Sequence, residues 1–165
     1  MPVPFLPAIP HGHHDVSPAT RVAQERYLLP PLAAALVVVK HPAQGDESNG
    51  RLLCEQIRQL VKHASGTLCF FHDGTGMVNA RIGYANAFKE LDREMWGRTI
   101  EVVCAIPAPI PRMMIYTAAT IAQTPWSIYR TRLEADRHMR TRGYLPADYD
   151  TSFDGTLQLR VPRCS

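Results

Sequence analysis

The chain has 165 residues, of which 45% are hydrophobic and 20% are charged, and its formal net charge is +3. These values describe one ordinary globular domain that needs no disulfides to fold. They count against a nucleic-acid-binding protein, because the arginines are scattered and form no basic stripe with aromatic residues between them.

Cysteine use and hydropathy favour a cytoplasmic protein. The cysteines form no CxxC pair, and Cys54, Cys69 and Cys104 lie in apolar stretches, as buried free thiols usually do. This pattern favours a reducing compartment over a disulfide framework. No apolar run approaches the roughly 20 residues that a membrane span needs. The proline-rich start lacks the basic region of a signal peptide, so we expect no membrane contact.

Residues 1–24 are predicted to form an extended arm, because they are rich in proline, which disfavours both helix and central strand. Within the arm, the motif HGHHD at residues 11–15 holds several potential metal ligands. A tetrahedral site would need further ligands from elsewhere, such as His41. A polar arm is the simpler interpretation, and we predict no metal.

Strands and helices alternate along residues 25–145, which we predict to be the folded domain. Apolar, often β-branched runs indicate strands, and apolar residues at helical spacing indicate helices. The predicted strands are residues 25–29 (ERYLL), 34–40 (AALVVVK), 67–72 (TLCFFH), 99–106 (TIEVVCAI) and 126–130 (WSIYR). The predicted helices are residues 51–64, 79–96, 112–123 and 131–142. This alternation predicts a single-domain α/β fold with a mainly parallel sheet of four or five strands and about four helices.

Local signals mark several boundaries of these elements. Gly66 suits the left-handed residue after a helix, and Thr131 and Glu134 have the spacing of a capping box. Residues 146–165 follow the last helix and are predicted to be a tail, with its Asp-Gly pair as a turn.

Three stretches of the chain match one known order of elements. The first stretch, GTLCFFHDGTGMVNARIGYANAF, is similar to a central strand and its helix. The second, RTIEVVCAIPAPIPRMMIYTAATIAQTPWSIYRT, is similar to the next strand, helix and short strand. The third, TRLEADRHMR, is similar to a closing helix. Through these stretches the chain resembles the STAS family of anti-sigma-factor antagonists and its SpoIIAA-like relatives, over roughly residues 36–143. The resemblance implies a non-enzymatic regulatory or protein-interaction module that binds a protein partner or a small ligand.

The chain also departs from the pattern of that family. Phosphorylated members carry a serine at the start of the helix after the central strand, but no serine lies between Asp73 and Ala85, and Thr75 is the only hydroxyl there. His138 and Met139 stand near the place of a Trp-Leu pair in the closing helix. The resemblance therefore implies a divergent, SpoIIAA-like member that is not switched by phosphorylation.

A binding surface is predicted at the turn after the central strand and at the turn beside it. Strand ends of open α/β sheets tend to hold binding residues. The residues of this predicted surface are Asp73, Thr75, Asn79, Arg81 and Arg112.

A small cytoplasmic enzyme is the rival hypothesis, with His72 and Asp73 as its catalytic residues at the strand end. This hypothesis expects a pocket that holds His72 with a buried partner. In the simpler alternative, Asp73 caps the turn and His72 points to solvent. No cofactor is predicted, because the Gly-Thr-Gly turn lacks the full dinucleotide fingerprint and the lysine of a phosphate loop. Cys69 is expected on the opposite face of the strand from His72, so that the two form no nucleophile pair.

A homo-oligomer is the third hypothesis, in which the amino-terminal arm or the tail exchanges between copies. Light scattering would test the exchange of the arm by comparing the mass of the full chain with that of a variant without residues 1–20.

Overall fold

The computed structural model describes residues 34–122, 124–145 and 155–160. The predicted arm, the HGHHD motif and the ERYLL strand lie outside these residues. The rest of the predicted strands and helices can be compared with the structure.

The centre of the fold is a five-stranded sheet in the order β6-β5-β3-β1-β7. Its strands are β1 (Ala35–Lys40), β3 (Leu68–Asp73), β5 (Thr99–Ala105), β6 (Trp126–Tyr129) and β7 (Leu157–Arg160). All neighbours pair in parallel except β7, which is antiparallel to β1. Two short strands, β2 (Gln44–Gly45) and β4 (Asn79–Ala80), form a separate parallel pair. The α/β class and the mainly parallel sheet are confirmed.

Four helices complete the described fold: α1 (Glu47–Val61), α2 (Ile82–Met95), α3 (Pro109–Ile121) and α4 (Arg132–Thr141). α1 begins a turn earlier than predicted, because Asp46 forms a capping box with Asn49. α2 begins later than predicted, because Asn79–Ala80 pairs with β2 as β4. The predicted capping box of α4 is confirmed.

Two apolar layers cover the two faces of the sheet. Val37 and Val39 of β1 pack on one face with residues of α1 and α2. Leu36 and Val38 point to the other face, where they pack with Met139 of α4. Successive side chains of a strand alternate between faces, so a strand that is apolar throughout supplies both layers.

A buried polar cluster ties the α4 layer to the sheet. Glu101 of β5 has no exposed surface, and its carboxylate accepts hydrogen bonds from the Ser127 hydroxyl (2.5 Å), His138 Nε2 (2.7 Å) and the Tyr144 hydroxyl (2.9 Å). Arg142 Nε lies 3.5 Å from the same carboxylate. Burial raises the pKa of Glu101, but the hydrogen bonds from His138 and Ser127 outweigh burial, and the net pKa is lowered.

Strand β7 is the main element that the sequence prediction missed. The prediction assigned Leu157–Arg160 to a tail, whereas the structure pairs this segment with β1, Val37 lying opposite Leu159. Among the described residues, no helix is both long enough and apolar enough to cross a bilayer.

Candidate functional site

A cavity of about 350 Å³ lies between α2, α3 and the sheet. Its walls are mainly apolar, with Phe88 from α2, Ile106 after β5, and Met114 and Ile115 from α3. Its volume is at the small end of the range of about 300–1,000 Å³ for ligand pockets. Two of its polar groups, His41 and His72, come from the carboxyl ends of β1 and β3, where ligands of α/β sheets usually bind.

Two buried histidines lie at the inner end of the cavity. His41 follows β1 and His72 is in β3, and they are only 8% and 7% exposed. His41 Nε2 lies 2.8 Å from His72 Nδ1, and His41 Nδ1 lies 2.5 Å from the Tyr84 hydroxyl. Burial lowers the pKa of His41 to about 4, and burial together with the neighbouring His41 lowers the pKa of His72 well below its usual value. Both imidazoles are therefore neutral at pH 7.

Two glycines make the space that holds Tyr84 at the histidines. A Cβ atom at Gly45 of β2 would lie 2.9 Å from Tyr84 Cγ, and one at Gly50 of α1 would lie 2.8 Å from Tyr84 Cδ2. Both distances are too short for carbon atoms, so only glycine fits while the ring stays in place. Burial raises the pKa of the Tyr84 hydroxyl, which therefore keeps its proton at pH 7.

We expect Gly50→Ala to disturb this arrangement. The added methyl group would also lie 3.3 Å from Tyr84 Cα, which is backbone and moves only with α2. Overpacking typically costs about 1–3 kcal/mol, against a gain of about 0.5–1 kcal/mol from alanine within a helix. Urea denaturation should show a net loss of stability. Gly97→Ala is the control, because no atom lies within 4 Å of its added Cβ; equal stability of the two variants would contradict the packing argument.

A carboxyl group also lines the cavity. Asp92 of α2 lines the cavity beside Trp126 of β6. Burial raises the pKa of Asp92, and the nearby Thr124 hydroxyl and Trp126 indole partly oppose this rise. Thr124 Oγ1 and Trp126 Nε1 are buried, and neither has a partner with hydrogen-bond geometry among the described residues. The cavity thus holds an acidic group with a shifted pKa in addition to the two histidines and Tyr84, and such clusters are typical of functional sites.

The mouth of the cavity is positively charged. Lys89 and Arg93, one turn apart on α2, line the cavity and are exposed. Within the described part of the chain, neither side chain has a hydrogen bond or an ion pair. An anionic group of a bound molecule would meet both cations there.

The structure places His72 and Asp73 on opposite faces of the sheet. His72 lines the cavity, whereas Asp73 forms an ion pair with Arg132 of α4 and accepts hydrogen bonds from the Thr75 backbone N–H (3.1 Å) and hydroxyl (2.6 Å). Asp73 therefore caps the turn, as the sequence suggested, but His72 is buried and does not point to solvent.

The residues of the predicted binding surface are used in different ways. Thr75, Asn79 and Arg81 are exposed, and Asp73 is buried. The Arg112 guanidinium donates to the carbonyl oxygens of Ile106 (3.2 Å) and Pro107 (2.7 Å), so it braces the turn before α3.

The roles of His41 and Tyr84 did not emerge from the sequence. One signal was present: His41 ends the VVVKH run as His72 ends the FFH run, and parallel strands end at the same edge of a sheet.

The buried cysteines are poor nucleophiles. Cys69 packs in the α4 layer, on the opposite face from His72, as predicted. Cys104 lies in the floor of the cavity. Burial raises the pKa of both thiols, so the reactive thiolate is disfavoured.

No group of three or more His, Cys, Asp or Glu side chains in the described ranges is arranged to hold a metal ion. Comparison of the chain with protein-family models, with curated proteins and with solved structures finds no match. The geometry of the cavity is the basis for the function proposed below.

Proposed function

We propose that the chain is a small enzyme that binds a small molecule in the cavity between α2 and α3 and performs acid–base chemistry through His72. One observation carries this proposal: His72 lines the cavity, while its Nδ1 is held by a buried chain of hydrogen bonds through His41 to Tyr84. A pocket that holds His72 together with a buried partner is the feature that separates this hypothesis from a flat docking surface.

The chain of hydrogen bonds suits proton transfer. The neutral His72 imidazole has one N–H donor and one bare nitrogen, and its hydrogen bond to His41 holds the ring in one orientation. Asp92 supplies a second group, whose pKa is shifted upward by burial while those of the histidines are shifted downward. Pairs of titratable groups with different environments are typical of acid–base sites.

Mapping of small fragments by NMR would test the site. Neutral, anionic and cationic fragments are added to the isotope-labelled chain, and we expect shift changes at residues that line the cavity. Ala118→Leu should weaken this binding by filling the cavity, whereas Ala119→Leu, also on α3 but not lining the cavity, should not. Equal binding to both variants would contradict the site.

The catalytic role is tested on the fragments that bind. Each is incubated with the wild-type chain and with His72→Phe, and products are followed by NMR. Conversion by the wild type alone supports the role of His72. Binding without conversion of any fragment would contradict an enzyme, as would equal conversion by the variant.

A STAS-like or SpoIIAA-like regulatory module in the cytoplasm is the second proposal. It is supported by the order of elements and by an apolar outer side of α3, where Ile110, Met113 and Tyr116 are 58%, 64% and 52% exposed. Such residues at helical spacing can dock a protein partner. The buried free thiols of Cys54, Cys69 and Cys104 favour the reducing compartment that this proposal needs.

Partner capture from a native lysate would test the regulatory proposal. Arg81→Ala and Met113→Ser should lose a partner that the wild-type chain retains. Leu52→Ser is the control, because Leu52 is 61% exposed on α1, away from the predicted surface. The same partners on all the variants would contradict the surface.

A further inference from the structure

The hydrogen bonds at the inner end of the cavity couple the proton positions of the two histidines and Tyr84. Among the described residues, the buried Tyr84 hydroxyl has His41 Nδ1 as its hydrogen-bond partner. A buried hydroxyl that donates to nothing is costly. We therefore assign the Tyr84 O–H as the donor to His41 Nδ1, which puts the proton of the neutral His41 ring on Nε2.

The same argument extends to His72. With this assignment, His41 Nε2–H donates to His72 Nδ1 across 2.8 Å, and the neutral His72 ring carries its proton on Nε2. No described residue accepts a hydrogen bond from this nitrogen, and the ring lines the cavity. The inner end of the cavity thus presents an N–H donor, which requires an acceptor from the molecule that binds.

The other parts of the cavity restrict the ligand further. The walls at Phe88, Ile106 and Met114 are apolar and suit a hydrocarbon body. At the mouth, Lys89 and Arg93 favour a negative charge.

We infer that the cavity binds a small, mainly apolar carboxylate that also carries a carbonyl group. The carbonyl oxygen accepts a hydrogen bond from His72 Nε2–H, the hydrocarbon body lies against the apolar walls, and the carboxylate lies at Lys89 and Arg93. This inference rests on the proposed small-molecule site and names the class of its ligand. In it, the neutral His72 polarises the carbonyl group, a role for which an imidazole with a lowered pKa is suited.

Three matched probes test the ligand class. The first is 4-oxo-4-phenylbutanoate, which has an aryl body, a carbonyl group and a carboxylate. The second, 4-phenylbutanoate, lacks the carbonyl group, and the third, butyrophenone, lacks the carboxylate. Calorimetry should show that the first binds the wild-type chain about tenfold more tightly than either of the others, because each lost contact is worth about one hydrogen bond.

Variants connect each part of the probe with its protein group. His72→Phe should remove the preference for the carbonyl group and keep the preference for the carboxylate. The double variant Lys89→Ala/Arg93→Ala should do the reverse. Equal affinity of the wild-type chain for 4-oxo-4-phenylbutanoate and 4-phenylbutanoate would overturn the inference, as would no binding of any probe. The small-molecule site itself would still stand if other fragments mapped to the cavity, so the two failures are distinguishable.

A measurement without any variant tests the proton positions. Imidazole ¹⁵N spectra of the wild-type chain should show His72 with a protonated Nε2 and a bare Nδ1, and His41 with the same pattern. A His72 ring with a bare Nε2 would overturn the inference even if His72→Phe did not fold.

Discussion

Replacing Glu101 by alanine is expected to lower the free energy of unfolding by about 3–5 kcal/mol. The carboxylate is fully buried and receives hydrogen bonds from three side chains, and Arg142 lies beside it. Removing it leaves the three donors without their acceptor and takes the negative charge away from beside Arg142 in a region of low polarity. Urea denaturation followed by circular dichroism measures the loss.

An exposed ion pair provides the control for this effect. Glu94 of α2 pairs with Arg58 of α1 at 2.7 Å, but its side chain is 49% exposed. Glu94→Ala is expected to cost at most about 1 kcal/mol, because water replaces the lost contact. Glu101→Gln keeps an acceptor oxygen and should fall between the two alanine variants. If Glu94→Ala and Glu101→Ala were equally stable, the buried cluster would not be what holds α4 on the sheet.

Acidification from pH 6.5 to pH 4 is expected to destabilise the fold by about 3 kcal/mol through His41 alone. In the folded chain His41 stays neutral until about pH 4, whereas in the unfolded chain it takes up a proton below about pH 6.5. Its contribution to stability is therefore complete above pH 6.5 and is lost progressively as the pH falls toward 4. The pKa of His72 is lowered too, so His72 acts in the same direction.

Urea denaturation at a series of pH values tests this expectation. The double variant His41→Phe/Tyr84→Phe is the comparison, because it removes the titrating imidazole of His41 together with the Tyr84 hydroxyl that bonds to it, while His72 remains. Its stability should depend less steeply on pH between 6.5 and 5 than that of the wild-type chain. The same slope for both proteins would mean that His41 is not held neutral by burial.

Elements with a strong local pattern were predictable from the sequence. The AALVVVK run is apolar at almost every position and became the inner strand β1, buried on both faces. Thr131 and Glu134 marked the start of α4 because their capping bonds are local. β7 was missed because its alternation of leucine with polar residues spans only four residues, and because its partner β1 lies far away in the chain.

The candidate site was predictable only in part. The position of His72 at a strand end pointed to the region of the cavity. Its partner His41 follows another strand, however. The register that sets Val39 opposite His72 is what brings His41 beside His72. Tyr84 arrives from α2 and needs the space at Gly45 and Gly50. Such contacts depend on three-dimensional packing and leave no single pattern in the sequence.

The pairing of β7 with β1 also has a consequence for self-association. Without β7, one side of β1 would present unpaired backbone N–H and C=O groups along a β-branched, uncharged run, which is the kind of edge that recruits strands from other molecules. β1 is made early during synthesis and β7 late, so this edge stays open until residues 157–160 arrive. Strand β7 therefore protects the completed chain against aggregation, whereas the edge of β1 is exposed while the chain is still being made.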